Sequence, residues 1–137
     1  MQDKKHILLV APYVTFPDEM GMNRFIYLAN LLADEFDVTL VTSRYCHFLK
    51  KHRENQPHLD NVNVVLLDEP GYEKNVSLKR ITSHHQFCRN FEVFLQNYEK
   101  KIDVAYSAYP LIKTNYILGK YKARKGYELI IDVQDVW

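Results

Sequence analysis

The chain has 137 residues, of which 47% are hydrophobic and 26% charged, and its net charge is +1. That length suits one domain with a hydrophobic core, and the near-neutral balance offers no field to draw in nucleic acid. No apolar stretch approaches the roughly 20 residues of a membrane span, and the apolar run in the opening MQDKKHILLVAPY is shorter than the about 7–15 residues of a signal peptide. A cytoplasmic protein is expected, with no nucleic-acid partner.

In chain order, HILLVA (6–11) reads as a first strand, followed by a loop carrying Pro12, Pro17 and Gly21. Met22, Phe25, Ile26, Ala29, Leu32, Ala33 and Phe36 then recur at steps of three and four, which predicts a helix with one stripe on a sheet. DVTLVTS (37–43) is the second strand, RYCHFLKKHR (44–53) a shorter helix, and VNVVLL (62–67) the third strand. Between Asn75, an expected N-cap, and Lys101, the residues Ile81, His85, Cys88, Phe91, Leu95 and Tyr98 mark a second long stripe. DVAYSA (103–108) is the fourth strand, 111–124 a helix closed by Gly126, and ELIIDV (128–133) the fifth strand. The strands are rich in Val, Ile and Leu with little alternation, as expected of a parallel sheet covered on both faces.

The alternation of strand and helix predicts one α/β domain over 1–137, a Rossmann-like doubly wound parallel sheet. Right-handed crossovers favour the strand order 3-2-1-4-5. Ligands of such sheets bind outside the carboxyl ends of the strands, where the order reverses. The loops after strands one, four and five reach that place.

The first of these loops, APYVTFPDEMGMNRF, contains neither GxGxxG nor GxxxxGK[ST], which disfavours a dinucleotide or P-loop protein. Gly21 can let a ligand approach the positive end of the helix dipole, or serve only as a turn residue; Arg24 can add a charged fork. In YSAYPL, a hydroxyl of Ser107 or Tyr109 either caps the helix that Pro110 opens or touches a ligand. Asp132 lies within the last strand and is expected to pair with polar neighbours. Asp135 stands just past that strand, where a carboxylate can hold or deprotonate a substrate hydroxyl, or be an exposed turn residue. His84, His85 and Cys88 lack a fourth ligand at recognisable spacing, so no metal site is expected, and the two cysteines are expected to be reduced and packed.

Two blocks carry a family resemblance. GMNRFIYLANLLADEFDVTLVTS resembles the loop–helix–strand that opens the N-terminal half of GT-B glycosyltransferases of family 4, the group 1 enzymes of bacterial capsule and lipopolysaccharide synthesis. The closing QDVW is similar to a motif R-D-x-W-P that ends the fifth strand in a branch acting on lipid-linked acceptors. Met20 stands where the family has the first glycine of a pair, and Gln134 where it has arginine. The resemblance implies that the chain is one half of a GT-B fold, cut from a longer enzyme. It places Gly21, Asn23 and Arg24 on the cleft between the two halves, and Asp135 beside the reacting sugar on the acceptor side. It implies a missing C-terminal donor-binding domain, a nucleotide-diphospho-sugar donor, a sugar or lipid-linked acceptor, no bound cofactor or metal, and no transfer by this part alone.

RYCHFLKKHR and KYKARKGY combine basic with aromatic residues, a pattern that suits either contact with anionic lipid at the inner face of the cell membrane or a solvated helix face. A stand-alone binding or regulatory module of flavodoxin-like shape is the alternative from another class. Against it, strand one ends VAPY, without the acidic pair of a receiver domain, and the following loop is not a Ser/Thr-rich phosphate loop.

Overall fold

A computed structural model describes residues 4–21, 23–109 and 111–133. Five parallel strands form the sheet: β1 (His6–Val10), β2 (Asp37–Ser43), β5 (Val62–Leu67), β6 (Val104–Ala108) and β7 (Glu128–Asp132). Their order across it is β5-β2-β1-β6-β7, which in chain order is the expected 3-2-1-4-5. Side chains of β1 alternate between faces, as strand geometry requires. Leu9 and Ala11 join Phe25, Ile26 and Ala29 of α1 (Arg24–Leu32) on one side. Leu8 and Val10 meet α2 (Leu78–Asn97) and α3 (Ile112–Lys125) on the other. Each of the fully buried Phe87 and Phe91 contributes roughly 1.5–3 kcal/mol by burial.

The segment 44–53 is not a helix. It is a tight hairpin of β3 (Tyr45–Cys46) and β4 (Lys51–His52), closed where Arg53 N–H donates to the Arg44 carbonyl at 2.8 Å. Lys50 has φ +54°, a left-handed conformation that no helix interior tolerates. Tyr45 and Cys46 are both buried, and the Arg53 side chain turns inward. Strands two and three of the sheet are therefore joined without a covering helix. Coverage is also thinner at the edge than expected: Glu128 and Ile130 of β7 are exposed on the face where α1, the one helix there among the described residues, packs over β1 and β2, and Ile131, on the opposite face with Leu129, is exposed as well.

The second stripe holds as expected from Cys88 through Phe91 and Leu95 to Tyr98 but not at its start. Ser83, Phe87, Cys88, Phe91 and Leu95 face inward, while Ile81 and His85 face out. A polar anchor sets that phase: Ser83 Oγ donates to Glu69 Oε2, and Ser43 Oγ donates to Glu69 Oε1 at 2.6 Å. The N-cap is Ser77, whose Oγ accepts from Arg80 N–H at 3.2 Å; Asn75 offers only its carbonyl, to Arg80 Nη1 at 2.7 Å. The third helix ends as expected, on Gly126 with φ +78°.

Arg53 holds the carboxyl rim together. Its guanidinium donates to Glu19 from Nε at 2.8 Å and Nη2 at 2.9 Å, to the Ser43 carbonyl at 2.6 Å, and to the Val14 carbonyl at 2.8 Å. Burial alone would raise the Glu19 carboxyl. Hydrogen bonds from Arg53 and the Phe16 N–H, with the Arg53 charge, outweigh it and hold the group below its usual range. Removing one member of a buried pair strands the other, so Arg53→Leu is expected to cost about 3–5 kcal/mol in urea unfolding. A depressed carboxyl contributes stability above its unfolded pKa of about 4.3 and loses it as pH falls. Glu19→Gln is accordingly expected to be less stable than wild type at neutral pH, with the gap closing in acid. A gap that stays constant on acidification would rule out the ion pair as its source.

Candidate functional site

The carboxyl rim of the sheet holds two groups of interacting side chains. The first joins the start of α1 to the last two strands. Asp132, at the end of β7, accepts through Oδ2 from Arg24 Nη2 and from the Tyr106 hydroxyl, the latter at 2.6 Å. Its carbonyl accepts from Tyr109 N–H at 3.0 Å. Burial, then the hydrogen bond and charge of Asp132, raise the Tyr106 hydroxyl above its usual range, with Arg24 opposing. Asp132 thus pairs with polar neighbours as its strand position implied.

The other expected site residues divide. Gly21 stands in the open, with φ +92° and nothing within 4 Å of where a Cβ would lie, and its carbonyl accepts from Thr15 Oγ1 at 3.1 Å. Asn23 caps α1, its Oδ1 accepting from Phe25 N–H at 2.9 Å. Arg24 is exposed but engaged by Asp132. Ser107 neither caps α3 nor faces the rim: it is buried and donates to Asn115 Oδ1, one turn inside the helix. The α3 N-cap is Leu111, which has no capping side chain. Tyr109 is half-buried beside Asp132. Asp135 and the helix-opening Pro110 lie outside the described residues.

The second group was not anticipated. Tyr13, just past β1, meets His84 of α2, hydroxyl to Nε2 at 2.8 Å. The Tyr72 hydroxyl, in the loop after β5, contacts His84 Nε2 at 3.3 Å and His47 Nδ1 of the hairpin turn. Two cations lie over the Tyr72 ring, Lys50 Nζ at 5.6 Å and Arg80 Cζ at 5.7 Å from its centroid. Gly71 makes the approach possible. Its φ is +87°, and a Cβ there would lie 2.8 Å from the Tyr45 ring. Beneath, Glu69 fastens β2 to α2, its carboxyl raised by burial against the hydrogen bonds of Ser43 and Ser83.

The electrostatics of this group are one-sided. Burial, assisted by the charges of Lys50 and Arg80, lowers His47 to about 4. Burial and the charges of Arg80 and His47 lower His84 to about 4. Burial raises the hydroxyls of Tyr13 and Tyr72. At neutral pH the group therefore presents neutral imidazoles and neutral phenols, each able to donate or accept. His85 lies apart, 3.2 Å from Lys113 Nζ, and Cys88 is buried with its thiol pushed up by burial to about 11. Among the described residues no three His, Cys, Asp or Glu side chains converge as a metal site. A cleft of about 460 Å³ opens beside the hairpin, bounded by Asp18, Glu19, Leu49, Lys51 and Arg53; neither group lines it.

The fold is a known one. The C-terminal domain of a hydrogenase from Pyrococcus furiosus (residues 78–226) is similar over 96% of this chain and 94% of that one, with a TM-score of 0.61 and 15% identity. A second crystal structure of that domain (residues 83–215) is similar over the same shares, with a TM-score of 0.58 and 14% identity. At such identity the likeness establishes the Rossmann-like α/β architecture and nothing of chemistry. No family model and no curated protein matches the chain.

A signal for the second group did exist in the sequence. Tyr13 and Tyr72 each follow a strand, so both belong to carboxyl-end loops, but β5 lies at the edge of the sheet, away from the point of strand reversal. In the sequence His84 reads as a core or helix-edge residue sooner than as a metal ligand. The lowered imidazoles carry a stability consequence. The unfolded chain protonates near 6.5, before the folded one, so stability present at neutral pH is lost as pH falls from about 6.5 towards 4. Histidine NMR titration is expected to find two rings titrating at about 4. In Arg80→Gln both are expected to move upward, since a repelling charge is gone; rings that titrate normally in wild type would refute this picture of the group.

Proposed function

We propose that this chain is the acceptor-side domain of a GT-B glycosyltransferase of family 4, which moves a sugar from a nucleotide-diphospho-sugar to a hydroxyl acceptor in bacterial surface polysaccharide synthesis. One observation carries it: the block GMNRFIYLANLLADEFDVTLVTS, which resembles that family, forms the loop, α1 and β2 that bring Gly21 and Arg24 to the carboxyl rim at the strand reversal. The Tyr13–His84–Tyr72–His47 group adds support, since neutral donors and acceptors beside aromatic rings match the hydroxyls and apolar faces of a sugar.

In this proposal a second, donor-binding domain supplies the contacts to the nucleotide. The acceptor hydroxyl attacks the anomeric carbon, the new glycosidic bond forms, and the bond to the diphosphate breaks. Asp135 holds or deprotonates the attacking hydroxyl. Arg24, locked to Asp132, holds the first loop against the last strand and so fixes the distance between acceptor and carboxylate. The acceptor is a sugar or a lipid-linked sugar, and the work is done on the cytoplasmic side of the membrane.

The test uses the protein that joins this domain to its donor-binding half, incubated with labelled nucleotide-diphospho-sugars and lipid-linked acceptors. Transfer of label is expected. Asp135→Asn is expected to lower kcat by about 10²–10⁴-fold with little change in donor binding, the usual range for loss of a general base. Absence of transfer, together with no thermal stabilisation by any nucleotide-diphospho-sugar, would remove the proposal.

A further inference from the structure

Two cations stand in the second group of the rim without a carboxylate. Elsewhere on the rim positive charge is matched: Arg24 by Asp132, Arg44 by Asp68 and Arg53 by Glu19. Among the described residues no acid lies within ion-pair distance of Lys50 or Arg80. Lys50 Nζ donates to the His47 carbonyl and Arg80 Nη1 to the Asn75 carbonyl at 2.7 Å, both uncharged partners. The two nevertheless share the ring of Tyr72. The Arg80 charge acts on the hydroxyls of Tyr13 and Tyr72, and both charges act on the imidazole of His47. Glu69, beneath the group, has its carboxyl oxygens taken by Ser43 and Ser83 and pairs with neither cation.

Holding two like charges around one ring costs free energy that a negative ligand removes. The position is open to such a ligand. Tyr13, His47, Lys50, Arg80 and His84 are all half-buried, and they converge from the loop after β1, the hairpin turn and the start of α2. We infer that the acceptor seated here is an acidic sugar, such as a uronic acid, whose carboxylate lies between Lys50 and Arg80 while its hydroxyls meet His47, His84 and Tyr13. The inference rests on the proposed transfer to a sugar acceptor and names the class of that acceptor. Hydrogen bonds from the two cations to a carboxylate are roughly twice as strong as those between neutral groups, so the acid anchors the sugar and the neutral groups orient it.

A phosphate suits the position less well. It carries more charge and more acceptor sites than a carboxylate, and it draws on bare N–H groups. Here the Gly71 N–H donates to Ser83 Oγ at 2.8 Å, and Ser77 Oγ covers the Arg80 N–H at 3.2 Å. Two cations, each with a donor already engaged by a carbonyl, match a single carboxylate. The cleft beside the hairpin repels an acid, since Asp18, Glu19 and Glu54 line it. On the opposite, amino rim a cavity of about 640 Å³ is lined by Lys4, Lys5, Lys100 and Lys101, but Asp37 and Asp103 stand among them. Of the basic segments singled out in the sequence, RYCHFLKKHR supplies Lys50 to this group. In KYKARKGY, Lys120 and Lys125 are occupied by Glu92 at 3.1 Å and the Tyr98 carbonyl at 3.0 Å. Among the described residues no helix is long and apolar enough to cross a membrane.

The chain is titrated at neutral pH with methyl glucuronide, methyl glucoside and inorganic phosphate, and binding is read from the imidazole NMR signals of His47 and His84. The glucuronide is expected to bind at least about tenfold more tightly than the glucoside, the worth of one hydrogen bond to a charged group. Phosphate is expected to bind more weakly than the glucuronide. Lys50→Gln/Arg80→Gln is expected to bind both sugars alike. Lys50→Gln alone is expected to lose part of the preference, with a circular dichroism spectrum matching wild type. Lys4→Gln/Lys5→Gln, on the amino rim, is expected to keep the preference in full. The inference falls if the glucoside binds as tightly as the glucuronide, which would leave a site that reads hydroxyls alone. It falls if phosphate binds more tightly than the glucuronide, or if no signal moves with any of the three. It also falls if the Lys4/Lys5 variant loses as much as the Lys50/Arg80 variant, which would mean undirected charge attraction. None of these outcomes decides the wider proposal, which is tested by transfer of label in the two-domain protein.

Discussion

A guanidinium is among the most costly groups to take out of water, and the carboxyl rim of this protein is arranged around one. Arg53 reaches inward from the hairpin to two oxygens of Glu19 and the carbonyls of Val14 and Ser43. Phe16 lies beneath the fork, its ring centroid 5.0 Å from the guanidinium carbon. Its partners come from two pieces of chain: Val14 and Glu19 from the loop after β1, where Glu19 closes a turn on the Phe16 N–H at 2.9 Å, and Ser43, the last residue of β2. A buried pair of this kind adds little stability over an apolar substitute of the same shape, yet it penalises every arrangement that leaves one member alone. Its contribution is selection of one loop arrangement, and the first loop can present Gly21 to solvent because its other end is held.

Glu69 does for α2 what Arg53 does for the loop. With Ser43 on one oxygen and Ser83 on the other, it fixes the rotation of the helix. Ser83 inward places His84 beside Tyr13 and Tyr72, and turns Ile81 and His85 to solvent. The polar contacts of the rim and the exposure of Ile81 and His85 are thus two consequences of a single helix phase. Apolar periodicity alone, carried through Ile81 and Cys88, would have buried the exposed face and exposed the buried serine.

That contrast explains what was legible in the amino-acid order. The five strands and their sequence across the sheet could be read because Val, Ile and Leu runs such as ILLV and VTLV have no other stable place, and crossover handedness does the rest. The Gly126 stop could be read because only a residue without a Cβ sits easily at positive φ. The hairpin could not: RYCHFLKKHR has helix-compatible spacing, and the inward pull on Arg53 comes from Glu19, 34 positions earlier. Ser107 looked like a cap because it precedes a proline, but its real partner, Asn115, lies one turn further along. Arg24 looked free because its carboxylate, Asp132, is 108 positions away. In each failure a polar side chain was claimed by a distant partner, which no local pattern records.

The same pairing bears on which ligand the rim suits. A nucleotide phosphate wants uncommitted cations or bare N–H groups. Here Arg24 is held by Asp132, Arg53 is enclosed, and Asn23 covers a donor at the start of α1. What else the rim offers is the second group: the half-buried, neutral imidazoles of His47 and His84 and hydroxyl of Tyr13, and the buried hydroxyl of Tyr72, with Lys50 and Arg80 drawn over the Tyr72 ring. Such groups exchange hydrogen bonds with hydroxyls at small electrostatic cost, and each can donate or accept as the ligand requires. The proposed division of labour, a sugar acceptor on this domain and the charged donor on another, asks for this kind of surface. On that proposal, the lack of a glycine-rich phosphate loop after β1 matches a domain that serves the acceptor, because backbone opened for a diphosphate would have no ligand here.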